Sequence, residues 1–411
     1  LFEKFRGMFA FALYDDSSRN LFLVRDPSGI KPLYYSQSFN ALVFSSEVRA
    51  FSVSGFPFTF NPHSTVLLMA YGHIPEPSTT FSEVQMLPKG SFLKYDCVAS
   101  KGDIYSYSHF NFKAGGNKNI KAFAELRSVI SDSVKRHLLA DAPIGVFLSG
   151  GLDSGILFAL AQQVRNKEVQ AISLCFEEDS YSEKKYQDIL LQGSGQPGIQ
   201  AQLGFDEFED SLPKVMEDMD MPSCDGLNTW FISKYARSSG LKAALSGIGA
   251  DELFGGYPSF NRMQWIHHLH QWPRIIRKNI PFPSDSKLRR LRYLALPGIT
   301  GEYLALRGHF QPDQISKVLN MDESQVWEIL EENSLQLGPG RLRSGYRAGW
   351  MELNLYMKNQ LLRDADAMGM KHSVEIRIPF LDSSLIQFCM SLHPSVTYSK
   401  NNSKKLLSEA F

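Results

Sequence analysis

The residues best suited to chemistry in this sequence lie in two glycine-rich segments, Ser149-Gly-Gly-Leu-Asp-Ser154 and Ser246-Gly-Ile-Gly-Ala-Asp-Glu-Leu-Phe-Gly-Gly-Tyr257. In the first, two adjacent glycines let the backbone come close to a ligand. An anion gains roughly 0.3 to 1 kcal/mol at the free N–H groups of a helix N-terminus, and a helical pattern begins there at once. The segment therefore reads as a phosphate cradle. It is not a nucleotide loop of the GKS type, because no lysine stands there to reach the outer phosphates and Asp153 takes the place of that charge. A carboxylate beside phosphates implies Mg²⁺ between them. A plain structural turn also reads Ser-Gly-Gly, but a strand-to-helix junction weighs against it. In the second segment Asp251 and Glu252 could simply open a helix, where carboxylates are favoured anyway. The glycines beside them make a ligand-facing loop the stronger reading.

Both loops need a frame. A helical segment, Phe123 to Leu139, leads into the buried-strand run Ile144-Gly-Val-Phe-Leu148, and then into a helix with Ile156, Leu157, Leu160 and Val164 at helical spacing. A second strand, Val169 to Phe176, a helix near Glu183 to Leu191, and a third strand, Lys242 to Leu245, follow. Strands alternating with helices predict an α/β, doubly wound parallel sheet, which binds ligands at the carboxyl ends of its strands. Before this, residues 1 to about 112 hold short β-rich runs, such as Leu21-Phe-Leu-Val24 and Leu33-Tyr-Tyr35, between turn clusters such as Asp26-Pro-Ser-Gly29. That pattern predicts an antiparallel region, with Gly7 to Tyr14 as an interior strand. The polar stretch Lys113-Ala-Gly-Gly-Asn-Lys-Asn119 reads as a linker, which places two domains at 1–115 and 116–411. Residues 258–345 are rich in Trp, His, Arg and Leu; they read as helical, with nothing to tie them to chemistry.

Composition narrows the partners. Lys plus Arg equals Asp plus Glu at 43 each, so no global field favours nucleic acid or an anionic membrane. Cys97, Cys175, Cys224 and Cys389 form no C-x-x-C pair, which argues against a zinc ribbon, a redox dithiol or a disulfide framework. No apolar run reaches the roughly 18 residues that span a bilayer, and a cytoplasmic setting is expected. Leu1 is not an initiator Met, and the helical stretch Lys404 to Phe411 stops without a cap; both ends read as cut.

Ser149-Gly-Gly-Leu-Asp-Ser154 resembles the signature of the ATP pyrophosphatase superfamily, which implies cleavage of ATP between its α and β phosphates and adenylation of an acceptor. With the second loop, and with Leu361-Leu-Arg-Asp-Ala-Asp-Ala-Met-Gly-Met370 running into Val374-Glu-Ile-Arg-Ile-Pro-Phe-Leu-Asp382, the chain resembles the glutamine-hydrolysing asparagine synthetases. Arg6 to Tyr14, Arg25 to Tyr35 and Phe44 to Ala50 are similar to the later half of their class II glutaminase domain, so the likeness spans nearly the whole chain. It implies a partial α-β-β-α sandwich ahead of the parallel-sheet synthetase domain. The family's glutaminase nucleophile is an N-terminal cysteine, whereas this chain starts at Leu1, and the residues that hold glutamine precede the matched region. Glutamine hydrolysis is expected of a full gene product and not of the chain as given.

The resemblance also implies roles. Ser149, Gly150, Gly151, Leu152, Asp153 and Ser154 would hold the ATP phosphates, and Asp153 with Asp251 would face Mg²⁺. Leu148 and Leu174 match positions lining the adenine and ribose pocket, with plain core packing as the alternative, and Ser246 and Gly247 match nucleotide contacts. Lys404, or its neighbour Lys405, would give a positive charge to the adenylation step alongside Asp153 and Asp251; a lysine on a terminal helix is otherwise usually just solvated. The implied substrates are ATP, aspartate or another carboxylate, and glutamine or ammonia, with no nucleic acid and no membrane; a homodimer is an expectation from the resemblance. Two positions depart from the family: its usual glutamate in the second loop is Ile248, and its frequent terminal-helix Arg is Ser408. Both fall on the acceptor side. Asp220 to Trp230 resembles a branch sharing this Ile or Leu form of the loop, whose acceptors include other carboxylates, on sugars or peptides. Against the ligase stand a tRNA-thiolating enzyme, disfavoured by the missing C-x-x-C pairs and absent basic excess, and a non-catalytic nucleotide-binding relative, for which Ile248 argues.

Overall fold

Short apolar runs in the first hundred residues pair as antiparallel strands. These are β1 (Ala10–Asp15), β2 (Asn20–Arg25), β3 (Tyr34–Ser38), β4 (Ala41–Ser45), β5 (Gln85–Met86), β6 (Ser91–Asp96) and β7 (Lys101–Ser106). The computed structural model describes residues 2–38, 40–108, 110, 122–165, 169–177, 183–195, 198–270, 272–273, 287–335, 338, 342, 344–398 and 403–411. One sheet runs β1-β2-β6-β7 and the other β4-β3-β5. Side chains of both meet in a core of Leu23, Leu33, Tyr35, Leu87 and Leu93, as two sheets stacked face to face require. The outer face of the smaller sheet carries α1 (Arg49–Ser52) and α2 (Ser64–Tyr71). This is the layered sandwich expected. One expectation fails: β1 is an edge strand among the described residues, with Leu13 and Tyr14 exposed.

The second unit is built on a five-stranded sheet of β8 (Ile144–Phe147), β9 (Gln170–Phe176), β10 (Ile199–Leu203), β11 (Ala243–Leu245) and β12 (Glu375–Arg377). The order is β10-β9-β8-β11-β12, and every pairing is parallel. Two of these strands, β10 and β12, are additions to the three legible in sequence. Helices α3 (Ala122–His137), α4 (Leu152–Val164), α5 (Lys184–Ser194), α6 (Phe205–Asp218) and α7 (Leu227–Ser238) join and cover them. Val146, Ala171, Leu245 and Ile376 face a core shared with α3 and α4. Ile172 and Ala244, one residue out of phase, face Ala236 and Leu241 at the end of α7. Both faces are buried, which explains why the central strands β8, β9 and β11 are mainly apolar.

Residues 258–345 are mostly helical where described, α8 (Ala250–Phe254) leading into them and α9 (Pro258–His270) opening them. Tyr293, Leu304, Ile315 and Trp327 share a core with Tyr34, Val66 and Leu67 of the first unit. The linker Lys113–Asn119 and the boundary near residue 115 lie outside the described residues. Asp26 shapes the loop that docks the two units: its carboxylate accepts from the backbone N–H groups of Ser28, Ile30 and Lys31. From that loop Ser28 Oγ donates to the Leu381 carbonyl at 3.1 Å and Lys31 Nζ meets Asp366 at 2.7 Å. No helix among the described residues is long and apolar enough to cross a membrane, and all four cysteines are free thiols.

Candidate active site

From β8 the chain moves outward to β9 and then β10; from β11 it continues on the other side, to β12. The winding direction therefore reverses between β8 and β11, and a crevice opens at the carboxyl ends of two strands whose loops diverge. The loop after β8 is Leu148–Gly151, running into the first turn of α4, and the loop after β11 is Ser246–Gly249, running into α8, so the two glycine-rich segments flank this switch point. They nearly touch: a Cβ on Gly247 would lie 3.2 Å from Asp153 Cβ.

The first loop holds its own shape. Ser154 Oγ receives the Ser149 N–H at 3.2 Å, sits 3.0 Å from Ser149 Oγ, and donates to the Gly151 carbonyl at 3.2 Å. Gly150 takes a left-handed φ of 85°, and a Cβ there would meet Tyr186 Cβ at 2.9 Å, so only glycine fits. Leu152 opens α4 and is largely exposed. Gly150, Gly151 and Leu152 line a cleft of about 760 Å³ together with Arg127, Ser128 and Phe411. Asp153, Ser154, Asp251 and Lys404 do not line that cleft, so the loop has two working sides.

On its other side three charges converge. Lys404 Nζ lies 2.5 Å from Asp153 Oδ2 and 2.7 Å from Asp251 Oδ1. Burial raises the Asp153 pKa, partly offset by Lys404. Burial alone would lower the Lys404 pKa, but Asp153 and then Asp251 outweigh it, and the ammonium is held above its ordinary value. Asp153 Oδ1 is buried without a hydrogen-bond partner. Such a buried lone oxygen is costly unless a ligand or cation satisfies it, and one or two carboxylates beside substrate phosphates is the usual seat of Mg²⁺. The residues present fit that ion. The structure also separates the two lysines: Lys405 is half exposed and, among the described residues, pairs with Glu409 at 3.7 Å.

Residues 125–411 match "Asparagine synthase" and residues 1–107 match "Glutamine amidotransferase domain". The chain belongs to the asparagine synthase family. It is 29% identical to the glutamine-hydrolyzing asparagine synthetase 1 of Bacillus subtilis over 98% of this chain and 65% of that protein. To a putative glutamine-hydrolyzing asparagine synthetase of Mycobacterium bovis it is 28% identical, over 99% of this chain and 64% of that protein. The chain thus spans just under two thirds of the length of these relatives.

The other positions matched to the family are placed as follows. Leu148 has no exposed surface: its side chain is core, its N–H donates to the Ile172 carbonyl at 2.8 Å, and its carbonyl accepts from Ser173 Oγ at 2.7 Å. Leu174 packs beside Leu203, Val215 and Trp230, and its carbonyl accepts from Gln187. Ser246 follows β11, its N–H held by the Arg377 carbonyl, and its Oγ receives the Ile248 N–H at 3.4 Å. Ile248 packs on the main core, which gives its aliphatic side chain a structural role. Ser408 Oγ is spent on the Lys405 carbonyl.

Gly256 and Tyr257 close the second glycine-rich segment, and their tasks come from tertiary contacts. A Cβ on Gly256 would fall 1.5 Å from Asp251 Oδ1 and 2.6 Å from Lys404 Cε. Gly256→Ala must therefore push the carboxylate and ammonium apart. Displacing reacting groups by about 1 Å costs about 10²-fold, and pyrophosphate release is expected to fall by that much while the melting temperature moves only slightly; parental rates would show the glycine to be dispensable. Tyr257 donates to Glu252 Oε1 at 2.9 Å, and burial pushes that carboxyl up to about 7. Arg307, paired with Glu352 at 2.7 Å, stacks 3.5 Å from the Tyr356 ring centre and 4.5 Å from that of Tyr257. The signal for this wall is tertiary, because its residues lie up to about a hundred positions apart.

Proposed function

We propose that the chain carries the ATP-dependent amidating half of a two-domain amidotransferase: residues 116–411 activate a carboxylate as its adenylate, and residues 1–115 belong to a glutaminase that supplies ammonia. The observation that carries this is the meeting of Asp153, Asp251 and Lys404 at the crevice between β8 and β11. ATP sits with its phosphates over Ser149–Ser154, where the glycines allow close approach and α4 begins. Asp153 and Asp251 would hold Mg²⁺, which would supply neutralising charge to the departing pyrophosphate. Lys404 stabilises the same charge from the terminal segment. The acceptor carboxylate attacks the α-phosphorus, the bond to the β-phosphate oxygen breaks, and pyrophosphate leaves. Ammonia then adds to the acyl carbon, AMP departs, and the surplus proton goes to a base or to water.

Aspartate is the first acceptor to test, with asparagine as product. Ile248, packed on the core and unable to move a proton, favours a second reading in which the acceptor is another carboxylate, on a sugar or peptide. The experiment is release of AMP and pyrophosphate from MgATP and ammonium, with aspartate, with other carboxylates, and with none. AMP that appears only with aspartate is the expected result. AMP with a different acceptor moves the assignment to that acceptor, and silence throughout would sink the adenylating reading.

A further inference from the structure

The Asp153–Lys404–Asp251 cluster implies more than a set of ligands. We propose that Lys404 holds the divalent cation's place in the nucleotide-free site, so that the metal is admitted only together with ATP. The inference rests on the reading that Asp153 and Asp251 are the metal's carboxylates.

Its first support is geometric exclusion. Nζ lies between the two carboxylates at 2.5 and 2.7 Å. An Mg²⁺ touching both would have to sit about 2.0–2.1 Å from each oxygen, in the volume the ammonium fills. One cation can be there, not both. The second support is charge. Two carboxylates already countered by one ammonium keep a single net negative charge, a weak lure for an ion that sheds its water reluctantly. ATP changes the balance by bringing phosphate oxygens, which attract the metal and offer the ammonium other acceptors.

The third support is mechanical. Leu406, Leu407 and Ala410 of the helix Lys405–Ala410 are buried in the main core, and Ser403 Oγ donates to the Gly255 carbonyl at 3.3 Å. The main chain of Lys404 is thus held on both sides, with a left-handed φ of 54° that a side-chain-bearing residue adopts only at a cost. What is free to move is the flexible four-carbon stem, which lies against Gly256, where an added Cβ would stand 2.6 Å from Cε. Swinging Nζ from carboxylate to phosphate requires no refolding. Asp153 Oδ1, buried and unpartnered, remains as the oxygen a metal or its water would satisfy.

The test is Mn²⁺ binding to the full chain without nucleotide, followed by the electron paramagnetic resonance of free Mn²⁺ at fixed ionic strength. The parent protein is expected to bind weakly. Lys404→Met, which keeps the stem and removes the charge, is expected to bind at least about 10-fold more tightly, as loss of a unit cation in direct contact demands. Lys404→Arg should stay at the parental level, and Lys404→Met combined with Asp153→Asn should lose the gain, which excludes binding elsewhere. In the presence of ATP the advantage of Lys404→Met should vanish. Equal Mn²⁺ affinity of the parent and Lys404→Met, or a gain that survives Asp153→Asn, would overturn the proposal. Its fate is separable from the ligase reading: a positive Mn²⁺ result with no AMP release retires amidation alone, and AMP release with unchanged Mn²⁺ affinity retires the exchange alone.

Discussion

Asp153→Asn is expected to lower pyrophosphate release from MgATP by about 10²- to 10³-fold, the scale of losing one group aimed at charge that develops in the transition state. The replacement keeps the side chain's shape and one oxygen, so packing against Gly247 is preserved. It removes the charge that meets Lys404 at 2.5 Å and would face the metal. Stability should change little. The Asp153 carboxylate is mostly buried and its ionisation is opposed by that burial, so the fold gains little from the charge it loses. Lys404 also keeps its contact with Asp251 at 2.7 Å. Rates of pyrophosphate release and thermal melts on the same preparation separate the two effects. Parental turnover in the Asn variant would mean that pyrophosphate release does not depend on this carboxylate, and its assignment to the metal and the leaving group would be withdrawn.

The second large effect concerns the seam between the units and not the chemistry. Glu76, almost fully buried, meets Arg25 at 3.0 Å and Lys358, from the second unit, at 2.6 Å, while its N–H donates to Asn359 Oδ1 at 3.2 Å. Glu76→Gln strands two buried cations and is expected to cost about 3–5 kcal/mol, the usual penalty for breaking a buried pair from one side. Burial would raise the Glu76 pKa, but Arg25 first and Lys358 second outweigh it and bring it from 4.5 down to about 2. The sign follows from that depression. Above the unfolded value of 4.5 the stabilisation is complete, and it is lost as pH falls from there toward 2. The shift corresponds to about 3 kcal/mol. Urea midpoints measured between these limits should fall with acid in the parent and lose that part of the slope in the Gln variant. Identical slopes would show that the pair adds nothing net to stability.

Much of the site was legible because it depends on local conformation. A glycine pair between an apolar run and a helical pattern can only be a tight loop, and the residues after it must head a helix; Ser149–Ser154 behaves accordingly. The alternation of strands and helices after residue 122 likewise dictated parallel pairing, since antiparallel neighbours need no helical crossover. Strands β10 and β12 escaped notice for the same physical reason. Ile199–Leu203 is half polar, and Glu375–Arg377 is three residues long. Neither carries enough periodicity to declare itself without the sheet edge it pairs with.

Residue types and spacing were thus enough for the parallel sheet and for two glycine-rich loops at strand-to-helix junctions. Which lysine joins them needed the tertiary structure. Lys404 and Lys405 are neighbours with the same side chain, and only the docking of Leu406, Leu407 and Ala410 into the core sets the helix rotation that sends Lys404 inward and leaves Lys405 outside. The same holds for Leu148, apolar in either role, which the fold commits to the core. It holds too for the tight approach of Gly256 to Asp251 and Lys404, since local sequence cannot register a steric limit imposed by a residue nearly 150 positions away.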